Sequence, residues 1–170
     1  GGPHATFLAG EILRHYPEID YVIQGEGEKA FQQIITAEEN HAPRAKNIID
    51  QVPVNDLDTL PVPSGFSGPM IDVNTNEEFK YIITSRGCPH HCSFCCSPNF
   101  WKRKVRFRSP EHILKEVEGL YRKHGIIYFS IRDDNFTLRK ERVLEFSRLL
   151  QKSGMYMMWN CQSRVDTVDE

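Results

Sequence analysis

The segment RGCPHHCSFCC, residues 86–96, sets four cysteines and two histidines into eleven positions. Thiols and imidazoles at that density serve as metal ligands, redox centres or disulfide partners. The chain has five cysteines, Cys88, Cys92, Cys95, Cys96 and Cys161, an odd number with four of them clustered. Secreted disulfide frameworks pair evenly and spread along the chain. No basic-then-apolar leader opens the sequence, so a reducing, cytoplasmic setting with thiolates available as ligands is expected. Structural zinc sites usually draw on two separated ligand pairs. Here there is no second pair nearby, and with His90 or His91 as fourth ligand one short loop would have to wrap a whole tetrahedron. The spacing Cys88-x3-Cys92-x2-Cys95 suits an iron–sulfur cluster, which closely spaced thiolates hold. Three such ligands leave one iron of a cubane open to a substrate. Cys96 is not expected to join Cys95 on the cluster, because neighbouring side chains diverge.

The elements that must position this loop follow from periodicity. From residue 79 the pattern alternates. FKYIIT predicts a strand. SPEHILKEVEGLYRKHG predicts a helix with Ser109 as N-cap, Pro110 in the first turn and Gly125 as stop. Its Ile113, Leu114, Val117, Leu120 and Tyr121 form one stripe. IIYFSI predicts a second strand. TLRKERVLEFSRLLQKSG predicts a second helix with Val143, Leu144, Phe146, Leu149 and Leu150 inward and Gly154 as stop. MYMMWN predicts a third strand. The last two strands are continuous apolar runs, as expected of parallel strands buried on both faces. Strand–helix–strand–helix–strand implies right-handed crossovers and a parallel sheet. The C-terminal strand ends then share one edge, where α/β folds place ligands. The cysteine loop, RDDNF and CQSR all follow strands, so the polar residues converge there.

Residues 1–40 read as loop, helix, strand, helix, the closing portion of a doubly wound α/β domain. Phe7, Leu8, Ile12, Leu13 and Tyr16 fall on one face of the first helix. IDYVIQ is the strand, and GEGE leads into the second helix, with Glu26 and Glu28 as partners of its positive end. Residues 41–78 lack a period, and PVNDLDTLPVPSGFSGP predicts a surface linker. The opening GGPHATF, without methionine, and the close on RVDTVDE suggest a fragment of a longer chain.

The 170 residues suffice for one ordinary domain, or one domain with part of another. With 39% hydrophobic and 26% charged residues and a net charge of −2, the composition is that of a soluble globular protein. No apolar run of ~18 residues predicts a membrane span. WKRKVRFR, residues 101–108, holds five basic residues in eight. Its shortness and neutral surroundings favour a solvated segment or an anion-facing rim, and no nucleic-acid partner is expected.

The triad Cys88, Cys92 and Cys95, with Phe94 just before the third cysteine, resembles the signature of radical S-adenosylmethionine enzymes. GGPHAT, GEGE, DLDTLPVP, the cysteine loop, RFRSPEHI, DDNFT and SRVD occur in an order similar to the cobalamin-binding members of that family. The resemblance implies an α/β architecture. Residues 1–40 would be the C-terminal remnant of a Rossmann-like cobalamin-binding domain and 41–78 a linker. Residues 79–170 would be the first half, βαβαβ, of a partial (βα)6 barrel.

It also implies cofactors and roles. Cys88, Cys92 and Cys95 would bind a [4Fe–4S] cluster whose open iron chelates S-adenosylmethionine. A one-electron reductant such as flavodoxin or ferredoxin would drive cleavage to a 5′-deoxyadenosyl radical. That radical would act on an organic substrate, with methylcobalamin as methyl donor or with a cyclisation or rearrangement instead. Phe94 would pack near the adenine. Asp133 and Asp134 would meet the ammonium group; as plain residues they would be a helix-entry turn. Ser163 and Arg164 would meet the methionine carboxylate, or Arg164 would form an ordinary salt bridge. Gly1 and Gly2 would let the cobalamin nucleotide tail approach the backbone. Cys161 reads as a strand-end residue. An electron-transfer or zinc-binding module using the same cysteines, or a non-catalytic fragment, is the contrasting expectation.

Overall fold

The computed structural model describes residues 1–41, 48–63 and 81–168, which divide into two compact units. The first comprises Gly1–Asn55 and His90–Arg103, and the second Asp56–Pro89 and Lys104–Glu170.

In the first unit, helix α1 (Gly2–His15) precedes strand β1 (Val22–Gln24), followed by helix α2 (Glu28–Glu39) and strand β2 (Ile48–Asp50). The two strands pair in parallel, Val22 opposite Ile48 and Gln24 opposite Asp50. Strand β2 lies inside the stretch expected to be a linker; residues 42–47 and 64–78 of that stretch are outside the described residues. The core is small: Ala5, Ala9 and Val22, with Ile12, Leu13, Ile19 and Ile48 packed around them. Phe7, Leu8 and Tyr16, expected inward, are exposed. The backbone explains this. Leu8 leaves helical geometry (φ −120°, ψ 22°) and kinks α1, which shifts the phase of the stripe so that the alanines face β1.

The GEGE turn is tied down from two sides. The Gln51 side chain accepts the Glu26 amide at 3.1 Å, and the Glu26 carboxylate accepts the Val54 amide at 3.4 Å. Glu26 is therefore buried in the unit just ahead of α2, and Glu28 opens that helix. Gly25 has φ +83°, and a Cβ there would lie 2.3 Å from Gln51 Oε1. The Thr6 hydroxyl donates to Gly2 O and accepts the Gly25 amide, both at 2.7 Å, joining the start of α1 to the end of β1.

In the second unit, strand β3 (Tyr81–Ile82) is followed by β4 (Ser85–Arg86) and, after the cysteine loop, by β5 (Arg106–Phe107). Residues 79 and 80 of the expected first strand lie outside the described residues. The cysteine loop contributes a short helix, α3 (Ser97–Trp101), which belongs to the first unit. Then come helix α4 (Pro110–His124), strand β6 (Tyr128–Ile131), helix α5 (Lys140–Lys152) and strand β7 (Met158–Cys161). Helix α4 carries its expected caps: the Ser109 hydroxyl accepts the His112 amide, and Gly125 adopts φ +64°.

Strands β3, β6 and β7 form one parallel sheet in that order. An order that runs one way, with crossovers of one hand, puts both helices on the same face. The core shows it. Ile82, Phe129 and Ile131 of the strands meet Ile113, Val117 and Leu120 of α4 and Phe146 and Leu150 of α5. Trp159 lies stacked on Phe129 and meets the rings of Phe136 and Phe146 edge-on. The other face carries exposed Tyr81, Tyr128 and Met158 beside buried Ser130, so among the described residues β6 and β7 are covered fully on one face and only in part on the other. Leu144, expected inward, is exposed; the buried positions of α5 are Arg142, Phe146 and Leu150.

A polar layer runs under this core. Arg108, the last residue of the basic run, is buried rather than solvated. It pairs with Glu116 of α4 and donates to Ile83 O at 2.9 Å and to His112 Nδ1 at 3.0 Å. Asp58, in a 3-10 turn spanning Leu57–Thr59, accepts the Ser109 amide at 2.9 Å and lies 3.4 Å from His112 Nδ1. No helix among the described residues is long and apolar enough to cross a membrane.

Two outcomes follow. Gly25→Ala combines a left-handed φ with a collision against Gln51, and should lower the melting temperature by several degrees in calorimetry, on the order of 1–2 kcal/mol. Burial pushes the Asp58 carboxyl up, but the bonds from Ser109 and the charges of His112 and Arg108 together bring it below its usual value. A carboxyl lowered in the folded state stabilises above its unfolded value and loses that contribution as pH falls through the folded one. The stability gap between wild type and Asp58→Asn, measured by urea titration, should be full above about pH 4 and vanish in stronger acid.

Candidate functional site

The cysteine loop spans residues 87–105, and its base is closed by the antiparallel pair β4–β5, with Ser85 opposite Phe107 and Arg86 opposite Arg106. Inside it, Cys88 is buried, Cys92 half-buried, and Cys95 and Cys96 exposed; all five cysteines of the chain carry thiols. Cys88 belongs to the second unit, and Cys92 and Cys95 to the first. The Cys95 amide donates to Cys92 O at 3.1 Å, and the Ser97 amide donates to Cys95 Sγ at 3.4 Å. Cys96 is the N-cap residue of α3, and its carbonyl accepts the amides of Asn99 and Phe100. Phe94 is 90% exposed. Among the described residues no three His, Cys, Asp or Glu side chains are gathered as a metal site. The donor set nevertheless suits an iron–sulfur cluster: three thiols on one short stretch, one of them receiving an amide hydrogen bond of the kind that stabilises a ligating sulfur.

The strand ends hold the other candidates. Asp133, just past β6, is 1% exposed. Its carboxylate accepts four hydrogen bonds: the Thr84 amide at 2.6 Å and hydroxyl at 2.5 Å, and the Ser85 amide at 3.0 Å and hydroxyl at 2.6 Å. Those donors fill the lone-pair sites of a carboxylate. Arg142 Nη2 lies 3.8 Å away and donates to Thr84 O at 2.8 Å. Burial brings the Arg142 guanidinium down to about 10, against the pull of Asp133, so it stays charged at neutral pH. Asp133 thus fastens the end of β3 to the end of β6. Its neighbour Asp134 is exposed.

The third strand end is also knotted. Asn135 is buried, and its Oδ1 accepts the Arg164 amide at 3.4 Å and the Thr167 hydroxyl at 3.2 Å. Ser163 is exposed and bonds to the hydroxyls of Thr137 and Thr167. Arg164 forks onto Asp166, Nε to Oδ1 at 2.9 Å and Nη2 to Oδ2 at 2.8 Å. Cys161 closes β7 opposite Ile131; burial and the Asp133 charge push its thiol up, so it remains protonated at neutral pH. In the first unit, Gly1 is the N-cap residue of α1 and Gly2 has φ +85°, with open space where a Cβ would point.

Sequence reasoning missed Thr84, Ser85, Arg108, Glu116 and Arg142. A signal was present: Glu116 follows Ile113 by three, and Arg142 precedes Phe146 by four, so each charge stands in an apolar stripe.

Removing the central carboxylate should be costly. Asp133→Ala leaves the Thr84 and Ser85 donors and the Arg142 charge buried without their partner, a loss of about 3–5 kcal/mol. Denaturant unfolding should register it, whereas Asp134→Ala should stay within about 0.5 kcal/mol of wild type.

Comparison with known proteins gives this arrangement a family. The Radical SAM superfamily matches residues 82–170, more than half of the chain. An uncharacterised methyltransferase of Pyrococcus horikoshii is 32% identical over 100% of this chain and 40% of its own length. An anaerobic magnesium-protoporphyrin IX monomethyl ester cyclase of Rubrivivax gelatinosus is 28% identical over 99% of this chain and 34% of its own. A hopanoid C-3 methylase of Methylococcus capsulatus is 28% identical, also over 99% and 34%. The chain thus spans well under half the length of these curated relatives. The match runs from the end of β3 through the cysteine loop and both later strand ends, and on it the chain belongs to the Radical SAM superfamily.

Proposed function

We propose that this chain is the part of a radical S-adenosylmethionine enzyme that holds its [4Fe–4S] cluster and binds S-adenosylmethionine, and that the whole protein transfers a methyl group with the help of cobalamin. The observation that carries the reading is the loop of Cys88, Cys92 and Cys95, set after β3 of a parallel sheet whose other strand ends bear Asp134 and Arg164. Bound together, the cluster and S-adenosylmethionine supply a one-electron reductive cleavage that yields a 5′-deoxyadenosyl radical.

The residues divide the work by their surroundings. Cys88, Cys92 and Cys95 would hold the cluster through three thiolates. Asp133, with its oxygens already engaged, positions the sheet edge. Asp134, exposed beside it, is the carboxylate suited to the ammonium group. Arg164 offers a planar fork to the methionine carboxylate, in exchange for Asp166. Ser163 adds a hydroxyl, and Phe94, almost fully exposed, offers a ring to the adenine. Gly1 and Gly2 fit the approach of a cobalamin tail, since Gly2 needs a left-handed φ and faces open space. In this reading 1–40 is the remnant of the cobalamin domain and 79–170 the first half of the barrel. The one-way strand order and the helices on a single face support barrel winding. Flavodoxin or ferredoxin in the cytoplasm would supply the electron. Methyl transfer is preferred because methyltransferases recur among the relatives; radical cyclisation is the second reading, favoured by the cyclases.

The test is anaerobic reconstitution with iron and sulfide, followed by reduction and electron paramagnetic resonance with and without S-adenosylmethionine. A [4Fe–4S]⁺ signal that changes on adding it is expected. Cys88→Ala, Cys92→Ala or Cys95→Ala should each abolish the cluster, while Cys96→Ala retains it. Asp134→Asn should weaken S-adenosylmethionine binding by about tenfold or more, as loss of a charge-assisted bond requires. Tight zinc binding in place of iron, or loss of the cluster in Cys96→Ala, would overturn the reading.

A further inference from the structure

Helix α1 carries an aromatic residue that its own core does not use. The α1 side of that core is Ala5 and Ala9, with Ile12 and Leu13 beside them. Phe7 is 47% exposed, turned outward next to the kink at Leu8. Its ring meets Phe100 of α3 edge-on, with centroids 6.5 Å apart and planes at 67°. Phe100 is 7% exposed and is flanked by Trp101, whose ring lies perpendicular to it at 4.6 Å. Ser97 and Pro98 of the same short helix are buried as well. All of these residues belong to the first unit.

A run of hydrogen bonds leads from that ring back to the thiols. The Phe100 amide donates to Cys96 O at 3.0 Å and the Asn99 amide to the same oxygen at 3.1 Å. The same peptide places the Ser97 amide on Cys95 Sγ, and the Cys95 amide in turn holds Cys92 O. A shift of Phe100 therefore moves the donor that faces the Cys95 sulfur and the turn that links it to Cys92. Donors to a ligating sulfur tune both its orientation and the potential of the metal it holds.

We propose that Phe7 is a positioning residue for the cysteine loop: through its edge-on contact with Phe100 it sets the placement of the Cys92 and Cys95 thiols. The consequence for a cluster rests on the function proposed above; the placement of the thiol segment does not. An element of the N-terminal portion thereby acts on the electronic state of the radical site.

The experiment compares wild type with Phe7→Ala, Phe7→Leu, Phe7→Tyr and Tyr16→Ala. Tyr16 is another exposed aromatic of α1 and serves as control. In the metal-free chain, hydrogen exchange is followed by mass spectrometry over residues 92–101, with 110–124 as internal reference. Phe7→Ala should speed exchange of the loop by about three- to tenfold, the worth of one edge-to-face pair. Phe7→Leu should fall between, and Phe7→Tyr and Tyr16→Ala should match wild type. In the reconstituted chain, Phe7→Ala should shift the g-values of the reduced cluster without lowering its iron content, and Phe7→Tyr should restore them. Unchanged loop exchange in Phe7→Ala overturns the proposal. So does equal acceleration over 110–124, which marks general loosening, or a cluster spectrum identical to wild type. Should wild type hold no cluster, the proposed function fails, and the exchange data still decide whether Phe7 places the thiol segment.

Discussion

One buried carboxylate organises the second unit. Asp133 receives both the amides and the hydroxyls of Thr84 and Ser85, and Arg142 stands behind it. Two strands that pair over only two residues, Tyr81 with Ser130 and Ile82 with Ile131, have little ladder of their own. The carboxylate continues the pairing where the backbone stops. It also sets the direction in which the chain leaves the sheet, since Ser85 opens β4 and the cysteine loop follows. A buried anion is tolerable only when its lone pairs are filled and a counter-charge is near; here both conditions hold. With its lone pairs filled, Asp133 serves the sheet, and the exposed Asp134 follows it at the same strand end.

The polar layer extends the same logic outward. Arg142 donates to Thr84 O and to Arg108 O, while its guanidinium lies over the rings of Phe107 and Phe136. Arg108 reaches Glu116 and Ile83 O, and Ser109 is held by Asp58. Helices α4 and α5 are thus attached to the sheet twice, by the apolar cluster and by these bonds. Apolar packing is non-directional and sets distance. The directional bonds set where the strand ends lie.

What was legible in the sequence followed from how local each feature is. Helix α4 could be read almost to the residue, because Ser109, Pro110, the apolar stripe and Gly125 are all local signals. The parallel order of β3, β6 and β7 could be read because βαβ alternation leaves little choice. Strands β2, β4 and β5 could not, since two or three residues carry no period and pairing alone defines them. The inward face of α1 was misjudged because a backbone kink at Leu8 has no sequence signature. The clustered cysteines raise the expectation of a metal site by type and spacing alone. The burial of Asp133 and the pairing of Arg164 with Asp166 depend on tertiary neighbours invisible to a linear reading.

The short ladder of β4 and β5 carries a last implication, for how such a loop diversifies. It joins Ser85–Arg86 to Arg106–Phe107, so the two ends of the loop are pinned to each other whatever lies between. The entropy of closing a loop grows only logarithmically, roughly 0.6 kcal/mol for each doubling of length. Insertions between α3 and β5 therefore cost the fold little. The anchorage separates a fastened frame from an adjustable interior, and lets descendants of one scaffold vary that interior without relearning how to fold.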